Sequence, residues 1–140
     1  MRTISINPNF FGKYNTQKEL FKKVLDFVKN DLVGQKITIN LNDKQMEVEL
    51  TWQGLKNDLY EYHQPYIEKL LSFSKLPTIL RNSKFIIKES EKNPKKQRDV
   101  KAIYKFLGKV SILKTDYDVL IIIKETSKTF IYDHVLIKNN

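Results

Sequence analysis

The stretch Tyr117-Asp118-Val119-Leu120-Ile121-Ile122-Ile123-Lys124 is followed, after Glu125-Thr126-Ser127-Lys128, by Thr129-Phe130-Ile131-Tyr132-Asp133-His134-Val135-Leu136-Ile137. Both runs are rich in β-branched and aromatic residues and the spacer between them is polar, so they read as two strands joined by a turn. Upstream, residues 109–113 and 100–107 have the same character, set apart by Thr115-Asp116 and by Gly108. Four consecutive strands with tight connections make an antiparallel meander. A short strand over 83–87 precedes them, and the polar loop 89–97 between contains no apolar residue.

The N-terminal half follows a different period. Thr16-Gln17-Lys18-Glu19 reads as a capping box, opening a helix whose apolar stripe is Leu20, Val24, Phe27 and Val28 and which Gly34 stops. Residues 36–41 and 46–51 alternate apolar and polar around Asn42-Asp43-Lys44, which predicts a hairpin with one buried face. Trp52-Gln53-Gly54 leads into a second helical segment holding Leu55, Leu59, Tyr60 and His63. Pro65 suits the first turn of a third helix, and Pro77 opens a short turn through Leu80. The expected fold is α+β, with N-terminal helices and a β-hairpin packed on a C-terminal four-stranded antiparallel sheet. It forms one domain over residues 1–140, mainly helical to residue 80 and a basic meander from 81 onward.

The chain of 140 residues has 41% apolar and 11% aromatic residues, enough for one compact core. Its longest apolar run, 119–123, falls far short of the roughly 20 residues of a membrane helix. Met1 is followed by no apolar leader, so a cytoplasmic protein is expected. The absence of cysteine excludes disulfides, thiol nucleophiles and Cys-based metal centres.

The net charge of +9 is concentrated. Residues 81–114 carry eleven basic and three acidic side chains, net +8, whereas residues 1–80 carry net +2 and residues 115–140 net −1. Such a patch attracts polyanions through counterion release, so nucleic acid is the first partner to consider. An anionic membrane or an acidic protein would see the same field. Arg2, Arg81 and Arg98 are the arginines, so bidentate phosphate recognition is sparsely supplied.

His63 and His134 lie 71 positions apart, the four glycines are scattered, and no Gly-x-Ser-x-Gly elbow occurs. Metal sites, phosphate-cradling loops and cofactor chemistry are therefore disfavoured, and no cofactor is expected. Acid–base chemistry without cofactors remains. RNA strand cleavage is such a chemistry, because the substrate's own 2′-OH is the nucleophile and the protein supplies a base, an acid and a cation. His63, just before a helix start, is either a half-buried helix-end histidine among tyrosines or a catalytic or phosphate-contacting group. Period two places Phe130, Tyr132, His134 and Leu136 on one strand face, lining a cleft or forming sheet surface. Lys124 shares a face with Asp118, Leu120 and Ile122, and Lys56 stands one turn into the second helix; each is a candidate cation or a solvated lysine. Tyr60, Tyr62, Tyr66 and Tyr104 are base-stacking candidates or core aromatics.

Three stretches carry a family likeness: residues 36–59, running into Trp52-Gln53-Gly54-Leu55-Lys56-Asn57-Asp58-Leu59; Leu76-Pro77-Thr78-Ile79-Leu80-Arg81-Asn82-Ser83-Lys84-Phe85-Ile86; and the 117–125 strand followed by 130–136. Together they resemble the small nuclease-like domains of phage and mobile-element polyvalent proteins, within the barnase–EndoU–colicin–RelE-like superfamily of RNases. The likeness spans residues 34–138, and residues 1–33 have no counterpart. It implies an RNase-toxin-like fold and metal-independent RNA cleavage, with RNA and a cognate immunity or antitoxin protein as partners and no membrane.

Carried onto this sequence, the likeness assigns a helix-borne pair, Lys56 and His63, and a sheet group, Lys124, Thr126, Tyr132 and His134. Arg81, Lys84, Lys95, Lys96, Arg98, Lys101, Tyr104 and Lys105 would hold the RNA. Three departures stand out: Ser83 replaces an alanine, Tyr104 stands where relatives place a His-Tyr or Tyr-Phe pair, and the turn 125–128 lacks a glycine. The alternative is a non-catalytic binder or inhibitor of nucleic acid or nucleoprotein with the same fold.

Overall fold

The computed structural model describes residues 1–90 and 100–139. Strand β1 (Thr3–Ile6) comes first, followed by helix α1 (Gln17–Phe27), which runs on through a wider π-helical turn at Val28–Leu32. Thr16 accepts from the Glu19 amide at 3.1 Å, while the Glu19 carboxylate accepts from the Asn15 amide at 3.1 Å, so the capping box forms with its return bond shifted one residue upstream. Gly34 adopts φ +93°, as a helix stop requires.

Strands β2 (Lys36–Asn40) and β3 (Gln45–Glu49) form the expected hairpin, turned at Asn42 with φ 65°. They make a two-stranded sheet of their own. Helices α2 (Trp52–Tyr60), α3 (Tyr66–Ser72) and α4 (Leu76–Arg81) follow. Two sequence expectations are corrected here: α2 ends before His63, and residues 77–80 form a helical turn of α4 with Pro77 in its first turn. Helix α4 touches both β2 and β5, linking the hairpin to the main sheet.

The second half is strand: β4 (Lys84–Glu89), β5 (Val100–Ile112), β6 (Thr115–Thr126) and β7 (Phe130–Lys138). The main sheet has five strands and is mixed, which corrects the expected four-stranded antiparallel meander. Its path is β1-β5-β6-β7, and β4 pairs antiparallel with β5. Strand β1 runs parallel to β5 at Lys109–Ile112, beyond the stretch that β4 occupies, so two strands share one edge of β5 end to end.

The expected break at Gly108 does not occur; β5 runs straight through it. A Cβ on Gly108 would stand 3.3 Å from the Ile79 side chain, so this glycine permits α4 to lie close on the sheet. The chain reverses instead at Leu113-Lys114, both at positive φ, a two-residue loop of the type whose twist suits a hairpin.

Helices cover one face of the sheet. Ala102, Tyr104, Phe106, Val119, Ile121, Ile123, Tyr132 and Leu136 are buried there against Leu55, Leu59, Leu70 and Phe73, within one core that also takes in the hairpin's Ile37, Ile39 and Val48. The opposite, outer face alternates half-buried Ile103, Leu107, Leu120, Ile122 and Val135 with lysines. No helix of the described residues is long and apolar enough to cross a membrane.

Candidate functional site at the seam of α2 and β7

Strand β7 forms one edge of the sheet, opposite β1 and β4, and α2 lies along it. An uncovered strand edge presents unpaired amides and carbonyls, and this one is met by helix side chains. Asn57 Nδ2 donates to the Tyr132 carbonyl at 3.0 Å, Asp58 Oδ1 accepts from the His134 amide at 2.8 Å, and the N-cap Thr51 hydroxyl pairs with that of Thr129 at 2.7 Å. The approach is close enough to require Gly54, where a Cβ would sit 2.2 Å from the Phe130 carbonyl oxygen and 2.4 Å from the Tyr132 ring.

The two faces of α2 then diverge. Gly54, Leu55, Asp58 and Leu59 are buried, while Gln53, Lys56, Asn57 and Tyr60 line a shallow, open depression of about 310 Å³ together with Glu61 and Ile131. The Lys56 side of the helix therefore looks onto the outer side of β7. Lys124 is the cross-strand partner of Ile131 and stands beside it on that face. His63 sits in the following loop, its Nε2 at 2.9 Å and 3.1 Å from the two oxygens of Asp133, which is two residues along β7 from Ile131.

A chain of polar groups runs inward from this dyad. Lys69, with no exposed surface, places Nζ 3.2 Å from both Asp133 Oδ1 and Asp58 Oδ1, and donates to the carbonyls of Asp58 and Glu61 at 2.8 Å each. Asp58 Oδ2 lies 2.5 Å from His134 Nδ1, and His134 Nε2 lies 2.7 Å from the Ser72 hydroxyl, which also donates to the Lys69 carbonyl at 2.6 Å. Burial alone would raise the Asp58 pKa. The charges and hydrogen bonds of His134, together with Lys69, outweigh it and hold the carboxyl below its ordinary 3.8.

Ser72, His134 and Asp58 thus have the connectivity of a nucleophile triad, but all three are at most 1% exposed. No substrate reaches them, and their bonds hold α2, α3 and β7 together. Among the described residues no group of three or more His, Asp or Glu side chains is placed to hold a metal ion.

The six candidate catalytic residues fall into three places. Lys56, His63 and Lys124 lie around the seam. Tyr132 and His134 share a face, as period two predicts, but it is the buried inner face, and the Tyr132 hydroxyl donates to the Glu49 carbonyl with its pKa raised by burial. Thr126 holds the β6–β7 turn, its hydroxyl donating to the Thr129 carbonyl at 2.8 Å and accepting from the amides of Lys128 and Thr129.

Among the candidate RNA-binding residues, Arg81 ends α4, while Lys84, Lys101 and Lys105 lie along the outer face of β4 and β5. Lys105 faces Glu89 at 3.3 Å. Tyr104 turns inward and is 6% exposed, with Lys88 over its ring at 5.5 Å. Lys95, Lys96 and Arg98 lie outside the described residues.

Asp58, Lys69, Ser72 and Asp133 carry the network and were not singled out from the sequence. The readable sign was a charged or hydroxyl residue inside an apolar stripe, as in Leu55-x-x-Asp58-Leu59 and Lys69-Leu70-Leu71-Ser72-Phe73.

No curated protein and no solved structure matches the chain. A family model does match, over residues 15–132, which includes α1, the hairpin, α2 and most of the sheet. The match reaches back to residue 15, which corrects the expectation that residues 1–33 have no counterpart. The chain belongs to the family of large polyvalent protein-associated domain 3.

Proposed function

We propose that this domain binds RNA across the outer face of its sheet and cleaves it without a metal ion at the seam of α2 and β7, as an effector carried by phages or other mobile elements. The observation that carries the reading is the half-exposed His63, held by Asp133 at 2.9 Å beside the depression lined by Lys56. With Nε2–H directed at the carboxylate, Nδ1 is the accepting nitrogen of the neutral ring. Asp133 is itself anchored by Lys69, so the imidazole is oriented through a fixed partner.

In the reaction, His63 takes the proton of the ribose 2′-OH. The 2′-oxygen bonds to phosphorus, the bond from phosphorus to the 5′-oxygen breaks, and a 2′,3′-cyclic phosphate forms. The departing 5′-oxygen takes a proton from the water that fills the open site, and His63 returns its proton to solvent. Lys56 and Lys124 offset the charge gathering on the phosphate oxygens.

The second reading, a binder without catalysis, is favoured by the burial of His134, which leaves one accessible histidine where acid and base roles are often split between two. Incubating the protein with total bacterial RNA and EDTA separates the two. Fragments ending in 2′,3′-cyclic phosphate, lost in His63→Ala with the melting temperature unchanged, are expected for the nuclease. Intact RNA that still binds with a steep salt dependence would select the binder.

A further inference from the structure

Tyr60, the last residue of α2, lines the seam depression with its side chain 57% exposed. Its ring is braced: Phe21 of α1 meets it edge-on, centroids 5.2 Å apart at 67°. Lys56 stands four residues earlier on the same helical face, with Cβ atoms about 6 Å apart at that spacing, and lines the same depression. Beyond the helix end Tyr62 is 56% exposed, backed at 4.8 Å by Tyr66. Tyr66 is itself buried and donates to the Leu59 carbonyl at 2.8 Å. Two exposed aromatic rings, each backed by another, adjoin one cation and one histidine.

The outer sheet face lacks this feature. Every aromatic side chain of β5, β6 and β7 (Tyr104, Phe106, Tyr117, Phe130 and Tyr132) turns to the inner face. The lysines there can hold phosphates, but they stand among aliphatic side chains that give a base nothing to stack on.

We propose that Tyr60 is a stacking platform for an unpaired base whose phosphate is held by Lys56, so that the ligand of the seam is single-stranded RNA. The inference rests on the reading of the seam as an RNA site and names its substrate class. Duplex RNA keeps the faces of its bases inside the helix, and so engages the lysines alone.

The test is fluorescence anisotropy with three probes of equal length: a 2′-O-methyl oligouridylate, which cannot be cleaved, an abasic strand and a duplex. Wild-type protein is expected to favour the oligouridylate over the other two. Tyr60→Ala should weaken that binding about 5- to 150-fold, the range of one base–aromatic stack, with little effect on the abasic strand. Tyr60→Phe should keep the preference and Tyr60→Leu should lose it, which separates the π-face from mere apolar bulk. Equal affinity for base-bearing and abasic strands, or an unchanged Tyr60→Ala, overturns the proposal. Cleavage of unmodified RNA by the wild type in that case leaves the nuclease reading standing. Tyr60-dependent binding without any cleavage supports the platform and overturns the nuclease reading instead.

Discussion

Asp58 grips His134 twice, once at the backbone amide through Oδ1 at 2.8 Å and once at the ring through Oδ2 at 2.5 Å. The carboxylate thereby occupies an amide that a further strand would otherwise take, and fixes the imidazole at the same time. Truncating it leaves the buried His134 ring without its carboxylate partner and Lys69 with Asp133 as its remaining counter-charge. Asp58→Ala should cost about 3–5 kcal/mol, read as a fall in the urea midpoint. A loss under about 1 kcal/mol would show that the bonds to the β7 edge contribute little.

The same carboxylate sets an acid dependence. Its folded pKa lies below the ordinary 3.8, so in acid the unfolded chain binds the proton first. The contribution is fully present above the ordinary carboxylate value and is lost as pH falls through it toward the folded value. Urea midpoints of the wild type should drop between about pH 5 and about pH 3 by more than those of Asp58→Asn. Parallel slopes in the two proteins would count against the assignment.

Gly54 tests how closely α2 rides on β7. An added methyl would meet a backbone carbonyl, which cannot swing aside, at 2.2 Å. Gly54→Ala should therefore destabilise by about 3 kcal/mol or more, although alanine is the better helix former. Gly34→Ala has open space around its Cβ and should lose only about 1 kcal/mol, from its positive φ. Equal losses at the two positions, in thermal or chemical melts, would mean that the seam relaxes more readily than its geometry indicates.

Charge on the outer face is separable from the seam. Replacing Lys84, Lys101 and Lys105 with glutamine should weaken binding to any RNA strand and flatten its dependence on salt. With about 0.7 of a unit of slope per phosphate contact to single strands, three contacts amount to roughly 2 units. An unchanged slope in titrations across salt concentrations would move the polyanion contact elsewhere on the molecule.

The parts of the fold legible in advance were those fixed by neighbours in sequence. Thr16 and Glu19 mark a helix start within four residues, and 36–51 alternates around its own turn, so both appear where the pattern places them. Gly108 misled because a glycine within a strand pattern signals either a break or a close approach, and which of these applies depends on Ile79, far away in sequence. Strand β1 has only Ile4 and Ile6 as inward residues, and its parallel pairing with β5 is entirely long-range. At the site, strand parity correctly put Tyr132 with His134 and Lys124 with Leu120 and Ile122. Whether those sets share a face depends on the register, in which Ile123 opposes Tyr132 and Lys124 opposes Ile131, so the lysine and the second histidine end on opposite sides. The links from Asp58 and Lys69 to β7 cross more than sixty residues, and no local pattern announces them.

The sharing of one β5 edge by β1 and β4 also determines where the polypeptide enters and leaves the sheet. Thr3 pairs with Lys109, Lys109 with Asp118, and Asp118 with Ile137, so the start of β1 and the end of β7 lie in a single row. Three inter-strand steps of about 4.8 Å separate them, roughly 14 Å in all. A bridge of about five extended residues would span that gap. Polypeptide entering through β1 and polypeptide leaving through β7 are thus attached to the same end of the sheet, a short bridge apart.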